Sequence, residues 1–149
     1  MSELEKTILQ KEVPRAKLCV ISAVHESYSR NVAFENTKDI LFLGGYQHLP
    51  NVDAVQYFVS EVFPILRREL PGVKFYIVGS RPPESVQRLA CDDVIVTGYV
   101  PNLEGLMSHC RLSVNPLRYG AGIKGKIVSC MAYGLPCVGT RIAFEGMEL

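Results

Sequence analysis

Lys38–Gly79 reads KDILFLGGYQHLPNVDAVQYFVSEVFPILRRELPGVKFYIVG. Two short apolar runs, Ile40–Leu43 and Lys74–Val78, flank a segment from Asn51 to Leu70 in which Val52, Val55, Val59, Val62, Phe63 and Leu66 make one helical stripe. Runs of that length fit strands, and the helical period between them fits one long helix. Asn51 is placed to cap this helix behind Pro50, and Pro64 is expected to bend it. The pattern repeats downstream, with strands expected at Val94–Thr97, Leu112–Asn115 and Pro136–Gly139. Helices are expected at Pro83–Leu89, Leu103–Ser108 and Gly122–Tyr133, the last stopped by Gly134 and Pro136. Strands alternating with helices predict an α/β fold with a mainly parallel sheet covered on both faces.

Upstream the reading is looser. Glu3–Val13 carries Leu4, Ile8 and Leu9 at helical spacing and stops before Pro14, which predicts a short surface helix. Lys17–Ala23, KLCVISA, reads as a strand, and the aperiodic polar stretch from His25 to Asp39 reads as a loop or linker.

The 149 residues fit one domain, and 48% hydrophobic with 21% charged residues is ordinary for a globular protein. A formal net charge of +1 gives no footprint for nucleic acid. The apolar runs fall well short of the ~20 residues of a membrane span. The N-terminal MSELEKTILQKEV is polar and mixed in charge, unlike a secretory signal, so a cytoplasmic location is expected. Five scattered cysteines without CxxC spacing indicate neither a disulfide framework nor a zinc site, and Cys130 is expected in the core. Asp92-Asp93 precede a strand rather than follow one, so no metal site is implied.

In open α/β sheets ligands bind beyond the carboxyl ends of the strands. Here those ends run into Gly44-Gly45-Tyr46, Gly79-Ser80, Gly98-Tyr99 and Asn115-Pro116. Glycine at such points either lets a ligand approach bare backbone or merely serves a short loop. Its repetition makes the first reading competitive. The richest stretch is Leu117–Gly134, LRYGAGIKGKIVSCMAYG, in which Gly120-Ala121-Gly122 is expected to open directly into a helix. Unpaired amides and the positive end of the helix dipole suit an anion, and a diphosphate is the natural guest. Lys124 and Lys126, in or just before the first turn, oppose that dipole unless an anion compensates. No Walker or GxGxxG pattern is present.

Other residues keep two readings. His48 is either a cleft residue or a loop packer, and His25 and His109 are weaker candidates. Tyr46 and Tyr99 either stack on a base or sugar or cover the sheet edge. Arg118 either reaches phosphate or pairs at the surface.

From about Lys38 onward the sequence resembles the C-terminal domain of family-four retaining glycosyltransferases of the GT-B fold. The resemblance is carried by ILFLGGYQHLPNVDAVQYFV, PGVKFYIVGS, VIVTGYVPNLEGLMSHCRLSVNPLRYGAGIKGKIVSCMAYGLPCVGT and the closing FEG, in that order and spacing. SELEKTILQKEVPRAKLCVIS resembles the stretch in which such enzymes cross between domains. The division implied is 1–37 as helix, strand and linker of the interdomain region. Residues 38–149 then form a Rossmann-like three-layer nucleotide-sugar-binding domain, truncated at its C-terminal end where the family continues.

The resemblance implies a nucleotide-diphosphate sugar in an interdomain cleft and transfer of its sugar with retained configuration, without metal or other cofactor. Gly44 and Gly45 match the loop that approaches the diphosphate. Gly98, Tyr99 and Val100 match the loop that holds the base. Gly120, Ala121, Gly122, Ile123 and Lys124 match the loop and helix start that receive the diphosphate and donor sugar. Two family glutamates with seven residues between them are replaced by Ala121 and Ser129, of which Ser129 is expected to keep one weaker ribose contact. GGYQHLPN lacks the Arg and Lys usual after the first strand, and Lys124 and Lys126 are expected to substitute.

The GAGxKxK form is similar to enzymes of cell-surface polysaccharide assembly. Catalytic residues and the acceptor pocket are expected on an absent N-terminal domain, so the chain alone is expected to be inactive. Peripheral membrane association of the full enzyme stays open. The alternatives are a non-catalytic nucleotide-binding or scaffold module derived from such an enzyme, and a related epimerase, for which catalytic carboxylates are missing.

Overall fold

A computed structural model describes residues 3–21 and 26–147. After a first helix, α1 (Glu3–Glu12), and a 3-10 turn at Phe34–Asn36, strands and helices alternate as expected. The strands are β1 (Asp39–Leu43), β2 (Phe75–Val78), β3 (Val94–Gly98), β4 (Cys110–Asn115) and β5 (Cys137–Gly139). Helices α2 (Leu49–Tyr57) and α3 (Phe63–Glu69) link β1 to β2. They are followed by α4 (Glu84–Gln87), α5 (Glu104–His109) and α6 (Gly125–Ala132).

All strand pairs are parallel, in the order β3-β2-β1-β4-β5. Alternation along β1 divides the core between the two faces of the sheet. Ile40 and Phe42 join Phe75, Ile77 and Val114 against Val55, Phe58 and Phe63 of the α2–α3 run. Leu41 and Leu43 face the other way, with Val78, against Met107 of α5 and Cys130 of α6. The result is a three-layer Rossmann-like domain.

The expected long helix is interrupted just before Pro64. A π turn occupies Phe58–Val62, immediately before Pro64, which has no N–H to continue the α ladder. Residues five apart are separated by about 140° on an α-helix. The wider turn brings Phe58 and Phe63 to the same side, where both pack on Phe75 at centroid distances of 4.6 and 5.8 Å. Helix α6 ends as read: Gly134 takes φ +67°, its N–H bonds Met131 O, and Leu135 N–H bonds Cys130 O.

Three expectations are corrected. Residues 17–21 form no strand, for they have no ladder partner and Ile21 is 82% exposed; Ser22, Ala23 and His25 lie outside the described residues. Asn51 does not cap α2, because the helix begins at Leu49 with His48 at the cap and Asn51 is turned inward. Gly120-Ala121-Gly122 does not open directly into α6: Gly120 and Gly122 hold positive φ, outside the helical region, and the helix starts at Gly125 after Lys124.

Candidate functional site

Strand order reverses between β1 and β4, where the chain runs outward in one direction to β2 and β3 and in the other to β5. The loops leaving the two inner strands therefore splay apart and open a crevice beyond their carboxyl ends. A cavity of about 470 Å³ fills it, walled by Gly44, Gly45, His48, Pro50 and Asn51 on one side and Tyr119–Ala121 and Ile123–Lys126 on the other.

Each wall has a local cause. A Cβ on Gly44 would fall 2.9 Å from both the Asn51 amide carbon and the Phe42 ring, so only glycine lets the chain turn here. Gly45 has only Ser80 Oγ near, at 3.8 Å, and leaves bare backbone at the cavity. Opposite, no side chain caps the first turn of α6, so its leading amides are available to an anion.

Two lysines reach the same cavity. Lys124, 11% exposed, donates from Nζ to Gly122 O and lies 3.9 Å from the Glu145 carboxylate. Lys126 Nζ sits 4.1 Å from the Phe42 ring centroid and donates to Asn51 Oδ1 at 2.7 Å. Burial, with help from Lys124, lowers the Lys126 pKa to about 7. Asn51 Nδ2 in turn donates to Gly45 O at 2.8 Å. Bare amides, a helix N-terminus and two amines thus converge on a space of ligand size, an arrangement that suits a multiply charged anion.

Of the residues singled out by sequence, Gly44, Gly45, His48, Gly120, Ala121, Ile123, Lys124 and Lys126 line this cavity. The others lie elsewhere. Tyr46 is not a stacking platform: it is a core residue, 5% exposed, and burial pushes its phenol well up. Gly79 packs against the first loop, since a Cβ there would fall 1.6 Å from Gly44 O. Gly98 and the exposed Tyr99 stand at the end of β3, two strands from the crevice, while Val100 packs with the α5 side of the core.

Arg118 takes its surface reading. It binds Asp53 through both carboxylate oxygens and lies 5.0 Å over the Tyr57 ring, and the pairing holds the Asp53 carboxyl below its ordinary range. Gly122 turns toward α1, where a Cβ would lie 3.2 Å from Glu5 Oε1. Ser129 donates to Gly125 O at 3.0 Å, one turn back along α6. His109 is at the far end of the sheet, paired with buried Asp39 at 2.8 Å.

Asn51 and Tyr119 were not read as site residues. For Asn51 the available signal is its spacing of four from Val55 and seven from Phe58, which puts an amide on the helix's buried stripe.

A second cavity, about 640 Å³, lies beside the opening ends of β1 and β4 and is lined largely by apolar groups, among them Phe58, Leu66, Leu112 and Val114. Lys38, Arg111, Glu35 and Glu69 stand among them, and no glycine loop lines it. Among the described residues, no group of three or more His, Cys, Asp or Glu is placed to hold a metal ion, and no helix is long and apolar enough to cross a membrane.

The family model described as glycosyl transferases group 1 matches residues 37–148. No curated protein matches the chain. Among solved structures, the crystal structure of the pneumococcal O-GlcNAc transferase GtfA in complex with UDP and GlcNAc aligns with a TM-score of 0.69 at 18% identity. The alignment covers 95% of this chain and 29% of that one, and it supports the fold, a Rossmann-like domain like one half of a GT-B enzyme.

Proposed function

The chain belongs to the glycosyl transferases group 1 family, and from that premise we propose that it binds the nucleotide-diphosphate sugar from which such an enzyme transfers its sugar. The observation that carries the reading is the convergence of Gly45, the head of α6, Lys124 and Lys126 on one cavity at the β1/β4 switch point. That the GtfA structure was solved with UDP and GlcNAc supports the same ligand class.

In this reading the diphosphate lies between the Gly44–Gly45 loop and the head of α6, and the base extends toward Gly98–Val100 at the end of β3. As the glycosidic bond to the diphosphate breaks, negative charge grows on the leaving oxygen. Preorganised amides and ammonium groups stabilise that charge more than they stabilise the bound donor, which is the condition for acceleration. Retention of configuration, a metal-free step and a place in polysaccharide or glycoconjugate synthesis extend the proposal along the family resemblance, with the acceptor bound by a second domain. Ala121 and Ser129 provide no carboxylate to the donor sugar or ribose, so recognition falls on backbone groups and the lysines.

Isothermal titration of the chain with UDP and with uridine tests this. Lys124→Ala is expected to weaken UDP about 10-fold or more while leaving uridine within about 2-fold, since a charge-assisted hydrogen bond is worth roughly 1.5–3 kcal/mol. Equal losses for both ligands contradict the charge role. No binding of UDP, GDP or ADP at millimolar concentration favours the scaffold reading, to which the missing carboxylates at Ala121 and Ser129 point.

A further inference from the structure

The Asn51 side chain touches both walls of the crevice through its polar atoms. It is 8% exposed, and its amide is committed at both ends: Nδ2 donates to Gly45 O at 2.8 Å, and Oδ1 accepts from Lys126 Nζ at 2.7 Å. Its amide carbon also fills the space a Cβ on Gly44 would need. A buried amide satisfied by two separate loops fixes the distance between them, because losing either partner strands a polar group.

We propose that Asn51 is a positioning residue of the diphosphate site, tying the first glycine loop to the head of α6 and holding Lys126 at the cavity wall as an amine whose charge stays uncommitted until the anion arrives. The inference rests on the donor-binding reading. It explains why an amide stands here: aspartate would accept from Lys126 but has no N–H for Gly45 O, and it would neutralise the lysine against an incoming diphosphate.

Burial disfavours the ammonium form of Lys126 by more than Cys130, which acts the other way, favours it. Phe42 of β1 and Asn51 of α2 provide no charge, and Lys124 beside it disfavours a second ammonium. Cys130 lies one turn on along α6, and His48 stands across the cavity. Of the carboxylates on this side, that of Glu145 lies 3.9 Å from Lys124 Nζ and Glu5 Oε1 lies beside Gly122. An uncommitted amine, little protonated above neutral pH, takes up a proton when pyrophosphate binds.

The test is calorimetry of pyrophosphate and UDP binding at pH 8 in two buffers of different ionisation enthalpy, which counts protons taken up. The full chain is compared with Asn51→Asp, Asn51→Ala, Lys126→Met and Asn51→Ala/Lys126→Met. Wild type is expected to take up most of one proton more than Lys126→Met does. Asn51→Asp, nearly isosteric, is expected to bind pyrophosphate at least 10-fold more weakly with that extra uptake lost, because its lysine is already charged. Asn51→Ala is expected to cost about 10-fold in the wild-type background and under 2-fold beside Lys126→Met.

Additive losses in the cycle, or Asn51→Asp matching wild type in affinity and proton count, overturn the inference while leaving the donor-binding reading intact. Wild type that binds neither ligand overturns both. If Asn51→Ala does not fold, the proton count of Asn51→Asp decides.

Discussion

At the scale of single residues, the crevice is held open by groups that cost the apo fold something. Lys126 is the clearest case. Its folded pKa of about 7 lies below the ordinary lysine value of 10.5, so the unfolded chain binds the extra proton between those limits. Wild-type stability is therefore expected to rise from pH 7 to about 10.5, with the burial penalty complete below pH 7. Lys126→Met removes it. Thermal melts are expected to show the variant more stable by an amount on the order of 1–3 kcal/mol at pH 6–7, with the gap closing toward pH 10; a gap independent of pH contradicts the assignment. The glycines divide in the same way. Gly79→Ala drives a Cβ to 1.6 Å from Gly44 O and is expected to cost more than about 3 kcal/mol in urea unfolding, whereas Gly98→Ala meets nothing within 4 Å and bears only its positive φ, about 1 kcal/mol. Equal costs would refute the close-approach account of Gly79.

At the scale of elements, the α2–α3 run shows what sequence does and does not specify. The apolar stripe and Pro64 announce a long bent helix, and the helix is interrupted there. That the interruption is a π turn, placing both Phe58 and Phe63 on Phe75, involves a tertiary contact invisible to local pattern. Phe63→Ala empties a fully buried site at this junction and is expected to destabilise by roughly 3–5 kcal/mol in chemical denaturation; a loss under 1 kcal/mol is incompatible with the packing described. The inner strands of the sheet were legible because parallel strands buried on both faces are short apolar runs, and the edge strands β3 and β5 because they keep short apolar runs bounded by glycine or proline. Lys17–Ala23 has the same composition but its described part has no neighbour to pair with, and composition does not report a missing partner. For a similar reason local sequence leaves both readings of Tyr46 and Arg118 open and misplaces Asn51: which way a residue faces depends on the element packed beside it. Gly44, Gly45 and Gly120 were legible as cavity-lining positions because glycine declares a backbone need directly, and Lys124 and Lys126 because cations stand out at a helix start.

At the scale of the whole molecule, parallel order β3-β2-β1-β4-β5 fixes where a ligand has room, and family membership accords with what the room is shaped for. The larger cavity beside Phe58 and Val114 is mostly apolar, with acidic Glu35 and Glu69 beside basic Lys38 and Arg111, and no glycine loop lines it. Geometry and chemistry both favour the crevice between β1 and β4, and occupancy there is observable residue by residue. The most direct measurement is an amide-resolved NMR titration of the chain with UDP, with uridine as the control. Shifts centred on Gly44, Gly45 and Gly120–Lys126, large for UDP and small for uridine, are the predicted result. Unperturbed amides there at saturating UDP, or shifts confined to the apolar cavity, would contradict the assignment of a diphosphate to this site.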